Sequence, residues 1–124
     1  MGIRTIEKNG VKIAVVTAND KLLCDVQSAL DLMATVQYET DSNRIAVCKE
    51  TVAEEFFILS TRLAGEILQK FVNYHCKLAI IGDYSKYTSK PLKDFIYESN
   101  NGQDIFFVAT EEEAVERLSC RERS

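Results

Sequence analysis

The residues of this chain best placed for chemistry are two adjacent hydroxyls, Ser60 and Thr61, followed by Arg62, and an acid, Asp83, that closes the apolar run Leu78-Ala79-Ile80-Ile81-Gly82. The hydroxyls fall where an apolar stripe of helical spacing begins, formed by Leu63, Ile67, Leu68 and Phe71, so one of them is expected to cap that helix by accepting from an early amide. Free amides and the helix dipole at such an end favour negative charge, so a hydroxyl there can carry a phosphate as a charge switch on a binding surface. Asp83 opens the polar stretch Tyr84-Ser85-Lys86-Tyr87-Thr88-Ser89-Lys90, whose two aromatics, three hydroxyls and two lysines suit contact with an anion or with a protein.

Other chemistries lack their parts. Neither glycine-rich phosphate loop, G-x-G-x-x-G or G-x-x-x-x-G-K-[ST], occurs. One histidine and four cysteines, at 24, 48, 76 and 120 with no Cys-x-x-Cys pair, spell neither a zinc cluster nor a nucleophile and its base. The cysteines read as packing or surface residues in a reducing compartment. His75 and Cys76 adjoin in an extended segment, so their side chains are expected on opposite faces. Asp20, Asp83 and a lysine are the ingredients of a phosphoaspartate receiver, but Asn19-Asp20 stands where that design needs two acids, and the leading hairpin is foreign to it. No catalytic set is complete, so the expectation is a protein that is not an enzyme and takes no cofactor or metal.

These residues must be positioned by one folded unit. At 124 residues, 46% hydrophobic and 27% charged, the chain fits a single globular domain with one core, over about residues 3–119, and a frayed tail Arg121-Glu122-Arg123-Ser124. A net charge of −4 argues against a nucleic-acid partner, which would call for clustered Lys and Arg. No apolar run reaches the length of a membrane span, and the start Met1-Gly2-Ile3-Arg4 leads straight into alternating residues, so a cytoplasmic protein off the membrane is expected. Ile6 stands where myristoylation of Gly2 needs Ser or Thr, and Cys120 lies one place too early for a prenylation box.

Period-two alternation over 3–8 and 11–17 around Asn9-Gly10 predicts a β-hairpin. Leu22, Leu23, Val26, Ala29, Leu30 and Met33 predict a helix capped by Asn19 or Asp20 and running to about Val36. Arg44-Ile45-Ala46-Val47-Cys48 is the third strand, and Thr51-Val52-Ala53-Glu54 reads as a capping box that starts a helical turn. A helix over 61–74, a buried strand over 77–82, a helix opened by Pro91 and ended by Asn100-Asn101-Gly102, a strand over 105–109 and a terminal helix behind the capping box Thr110-Glu111-Glu112-Glu113 complete the order. That order, β-β-α-β-α-β-α-β-α, defines an α/β fold: a mixed, mostly parallel sheet of about five strands with an N-terminal hairpin and four helices. Strand-end loops then converge on one edge: Asn19-Asp20, Lys49-Glu50-Thr51, Asp83 to Lys90, and Thr110-Glu111.

This element order, with hydroxyls opening the helix after strand three, resembles the STAS domain of anti-sigma factor antagonists, the SpoIIAA-like family. That family carries Asp-Ser-Ser-Gly-Leu at the equivalent helix start, its first Ser being phosphorylated by a partner kinase, and the aligned residues here are Leu59-Ser60-Thr61-Arg62-Leu63. The resemblance implies that Ser60 stands at the phosphoacceptor and Thr61 at the second hydroxyl, with Leu59 replacing the Asp and Arg62 the Gly. Over nearly its whole length the chain is also similar to a bacterial family, domain-of-unknown-function family 4180, through Asp25-Val26-Gln27-Ser28-Ala29-Leu30-Asp31-Leu32-Met33, Leu63-Ala64-Gly65-Glu66-Ile67-Leu68-Gln69-Lys70-Phe71 and Ser85-Lys86-Tyr87-Thr88-Ser89-Lys90-Pro91-Leu92-Lys93-Asp94-Phe95.

The leading expectation is a regulatory module that binds a protein, a different one or a second copy of itself, through Ser60, Thr61, Arg62 and the loop from Asp83 to Lys90. The alternative is a sensor that holds an anionic or aromatic small molecule at the strand-end edge through Tyr84, Lys86 and Tyr87.

Overall fold

Alternating residues make the first pair of strands, β1 (Gly2–Lys8) and β2 (Val11–Thr17), which run antiparallel from Gly2 opposite Thr17 to Lys8 opposite Val11. Asn9 and Gly10 between them both have positive φ, 56° and 75°, the backbone a two-residue I′ turn demands. The apolar runs β3 (Arg44–Cys48), β4 (Lys77–Ile81) and β5 (Ile105–Val108) then add one after another in parallel, giving a five-stranded sheet in the order β1-β2-β3-β4-β5. The computed structural model describes residues 1–119; the tail Arg121 to Ser124 and Cys120 lie outside them. Within that span the expected architecture stands: one α/β domain, a mixed and mostly parallel sheet, a leading hairpin and four helices.

Helices α1 (Val26–Thr40), α2 (Leu63–Asn73) and α3 (Lys90–Asn101) cover one face of the sheet, packing on Ala14, Val16, Ile45, Val47, Leu78, Ile80, Ile105 and Phe107. The alternate strand residues face α4 (Glu111–Ser119), which lays Ala114, Val115 and Leu118 across Val15, Ala46, Ala79 and Phe106. Those four sheet residues are register partners in one row, and the two alanines at its centre let the helix sit close. Because the strand order never reverses, the sheet has no switch point at which adjoining loops part to open a crevice. Its carboxyl edge is roofed by loops instead.

Helix α1 begins later than its apolar spacing predicts. Asp25 is its cap, accepting from the Ser28 amide at 2.7 Å while Ser28 Oγ accepts from the Asp25 amide at 3.0 Å. Leu22 and Leu23 fit the helical stripe but are drawn out of it: both amides donate to the Thr51 carbonyl, at 2.6 and 3.1 Å, and the Leu23 carbonyl accepts from Ala53. Asn19 and Asp20 therefore cap nothing, and the helix runs on to Thr40. Thr51 does not open a capping box either; its hydroxyl donates to the Cys48 carbonyl at 2.7 Å and closes the first of three short 3₁₀ turns, over 49–51, 54–57 and 59–61. At the far end of α2 the chain leaves through His75 in the left-handed region, φ 58°, with its amide on the Val72 carbonyl and the Cys76 amide on that of Phe71. His75 is thereby exposed and Cys76 buried, the expected separation produced by a helix C-terminus instead of an extended strand.

Candidate functional site

The turn that carries the hydroxyls is built differently from a simple helix cap. Residues 59–61 form a 3₁₀ turn, and Arg62, not Ser60 or Thr61, holds the cap position of α2, with φ 64° and no side-chain bond to the helix. Thr61 Oγ1 lies 2.8 Å from the carbonyls of both Glu55 and Ile58 and accepts from the Leu63 amide at 3.2 Å, so it ties the turn together. The expected cap is corrected by that geometry: the left-handed bend at Arg62 points the chain into α2, which leaves Thr61 one residue too early to be the cap and Ser60 exposed outside the helix. Arg62 is exposed as well.

The second expected patch, Asp83 to Tyr87, is joined to this connection by aromatic packing. Tyr87 stacks on Phe57 with ring centroids 5.0 Å apart and planes 18° from parallel, and Tyr84 meets Phe107 edge-on at 5.7 Å. The Tyr84 hydroxyl donates to the Ile80 carbonyl at 2.5 Å, pinning the loop to the end of β4. Glu54, in the 54–57 turn, accepts from the Tyr87 hydroxyl at 3.2 Å and pairs with Lys86 at 3.3 Å. The connections after β3 and β4 are thus fastened to each other, and Lys21, Leu22 and Leu23 fasten the one after β2 to the same roof. Asp83 turns back on its own loop and accepts from the Ser85 amide at 2.9 Å.

Lys49, just past β3, supplies a cation to this cluster. Its ammonium lies 4.9 Å from the Tyr87 ring centroid and 5.6 Å from that of Phe57, within cation–π range of both. Gly82 makes the approach feasible: a Cβ there would come within 2.6 Å of Lys49 Cβ and 2.9 Å of its Cδ. Lys86 sits 5.2 Å from the same Tyr87 ring.

The electrostatics follow from these contacts. Burial pushes the Tyr84 hydroxyl far above its ordinary value, with Tyr87 and Glu50 adding to it, so Tyr84 stays neutral at any physiological pH. Tyr87 is raised by burial and then by the Glu54 charge. For Glu54 slight burial works upward, but the hydrogen bond and charge of Lys86 outweigh it and hold the carboxyl below its usual range. The amide and hydroxyl of Ser85 hold Asp83 low. On the outer side of the loop, Tyr84, Ser85, Tyr87, Lys93, Ile96 and Tyr97 border an open groove of about 340 Å³ against α3. Among the described residues, no three His, Cys, Asp or Glu side chains gather in a way that could hold a metal.

Sequence reasoning named Ser60, Thr61, Arg62 and Asp83 to Tyr87 but missed Lys49, Glu54, Phe57 and Gly82 as parts of one cluster. Lys49 and Gly82 each follow the last residue of a strand, and those last residues, Cys48 and Ile81, are register partners, a juxtaposition that only the folded sheet reveals. No hydrogen bond joins Ser60 itself to the Tyr84–Tyr87 loop among the described residues; Thr61 and the 54–57 turn link the two.

The fold and this roof define a small α/β protein with a sequentially ordered sheet and a polar, aromatic strand-end surface. Its family follows from the sequence match: residues 8–118 fit the family described as Domain of unknown function (DUF4180), and the chain belongs to that family. No curated protein and no solved structure matches it. No helix among the described residues is long and apolar enough to cross a membrane.

Proposed function

We propose that this chain is a non-enzymatic, STAS-like regulatory module of the cytoplasm whose protein partner reads the turn Ser60-Thr61-Arg62 together with the loop Asp83 to Tyr87. One observation carries the reading. At the position where the STAS pattern has glycine, Arg62 adopts a left-handed φ of 64°, a conformation in which glycine is at ease and arginine is not. A glycine at this position would adopt that bend without strain, so the turn that opens α2 is compatible with the STAS pattern although the residue differs. The bend leaves Ser60 outside the helix and exposed, where an added phosphate would meet Arg62 and the amides that open α2. The fastening of the loops after β3 and β4 by Glu54, Lys86 and Tyr87 gives a partner one rigid surface instead of two mobile loops.

The test is affinity capture from the source cell with the wild-type chain and with Ser60→Asp and Arg62→Glu, followed by calorimetry on the purified captured protein. A partner whose affinity falls at least tenfold on either substitution is expected. Partners that bind all three chains equally, or no partner at all, would refute the reading.

The groove beside Tyr84 and Tyr87 favours a second reading, a sensor for a small aromatic anion, with Lys93 as the cation that faces it. A thermal-shift screen of aromatic carboxylates and phosphates separates the two: a stabilising hit abolished by Lys93→Gln supports the sensor, and its absence removes it.

A further inference from the structure

The two edges of the sheet are treated differently. At the β5 edge, Asn100 of α3 acts as a surrogate strand: its amide nitrogen donates to the Phe107 carbonyl at 3.1 Å and its carbonyl oxygen accepts from the Phe107 amide at 2.7 Å. The main-chain groups that β5 turns outward at Phe107 are therefore taken. Strand β1, at the other edge, has no such cover among the described residues. The two-residue Asn9-Gly10 turn makes Lys8 and Val11 a hydrogen-bonded pair, so Ile6, Arg4 and Gly2 also bond inward to β2, and Ile3, Thr5 and Glu7 turn their amides and carbonyls outward. The phase is confirmed from β2, where the Lys12 carbonyl, opposite Glu7, points away from β1 and accepts from Ser42 Oγ at 2.8 Å.

We infer that β1 pairs antiparallel with β1 of a second copy of this chain, about a two-fold axis at Thr5, to form one continuous sheet through the dimer. Only outward residues can pair with outward residues, which limits the axis to a residue from Ile3 to Glu7; an axis at Ile3 or at Glu7 pairs only that one outward residue within the strand, which leaves Arg4, Thr5 or Ile6. An axis at Arg4 sets two arginines against each other, and one at Ile6 sets Lys8 against Arg4 of the other copy; like charges directly opposed destabilise a strand pair. The axis at Thr5 avoids both. It alone uses all three outward residues, setting Thr5 against Thr5 and Ile3 against Glu7, each pair exchanging two N–H···O bonds, and it places Lys8 opposite Gly2. The same axis sets Arg4 opposite Ile6 of the other copy, with the Arg4 guanidinium already paired to Glu111 of its own α4. The inference is independent of the Ser60 surface, since no residue of that surface takes part.

Sedimentation velocity of the full chain across a concentration series tests it. The wild-type chain is expected to move from one to two times 14.0 kDa as concentration rises. Thr5→Lys and Thr5→Glu, each placing a like charge opposite itself, should both stay monomeric with unchanged far-UV circular dichroism, and an equimolar mixture of the two should restore the dimer. Thr5→Pro, which deletes only an outward amide, should also stay monomeric and folded. A wild-type monomer at every concentration, or a dimer that both charge variants leave intact, would overturn the inference.

Discussion

Arg62 and Gly82 carry the sharpest single-residue consequences. Arg62 and His75 both hold left-handed backbone, with φ of 64° and 58°, in which a Cβ is costly. Replacing either with glycine is expected to raise stability by about 0.5–1 kcal/mol in urea unfolding, less the entropy that glycine adds to the unfolded chain. A loss on both substitutions would mean that the side chains, not the backbone, set these bends. Gly82→Ala should cost about 1–3 kcal/mol, because the new Cβ would lie 2.6 Å from Lys49 Cβ. Shortening Lys49 to Ala keeps that Cβ, so the double variant should recover little; full recovery would show that only the outer lysine carbons matter. None of this was legible in the sequence. An arginine announces no positive φ, and the demand for glycine at 82 comes from the Lys49 side chain just past the neighbouring strand.

Between elements, the roof over the strand ends depends on Phe57, Tyr84, Tyr87 and Glu54. Phe57→Ala removes the ring on which Tyr87 stacks and should cost about 3–5 kcal/mol by thermal or urea unfolding. The Glu54 contacts are exposed, so Glu54→Gln should cost under about 1 kcal/mol. Their sign in pH is definite: a carboxyl held below its ordinary value stabilises above that value, and the contribution is lost as pH falls through the lowered one. Tyr84 gives the opposite slope. Its raised hydroxyl contributes stability that is whole below the ordinary tyrosine value of 10.0 and falls away as pH climbs past it, because only the unfolded chain ionises there. Tyr84→Phe should therefore flatten the alkaline arm of a stability profile above that pH; an unchanged arm would assign it to other groups. Strand positions, the helix start at Pro91 and the Thr110 cap were legible because hairpin turn, apolar run, early proline and cap residue are local signals. The start of α1 was not, because Leu22 and Leu23 obey helical spacing while their amides are claimed by Thr51, a partner far along the chain. The Lys49–Tyr87 and Glu54–Tyr87 contacts were hidden for the same reason.

For the whole molecule, the sheet separates three tasks. One face buries the main core under α1, α2 and α3, the other is closed by α4 across Val15, Ala46, Ala79 and Phe106, and the carboxyl edge presents the proposed binding surface. The sequential strand order was implied by the alternation of elements, and with it the absence of a crevice between diverging loops. The claim on which this functional account rests is that the carboxyl edge, at the start of α2 and after β4, is where a partner binds. It is tested most directly by mapping amide chemical-shift changes in the isotope-labelled chain as the captured partner is titrated in. The account predicts that the largest changes fall on Ser60 to Leu63 and Asp83 to Tyr87, and that Ser60→Asp abolishes them; changes confined to α4 or to β1 would contradict it.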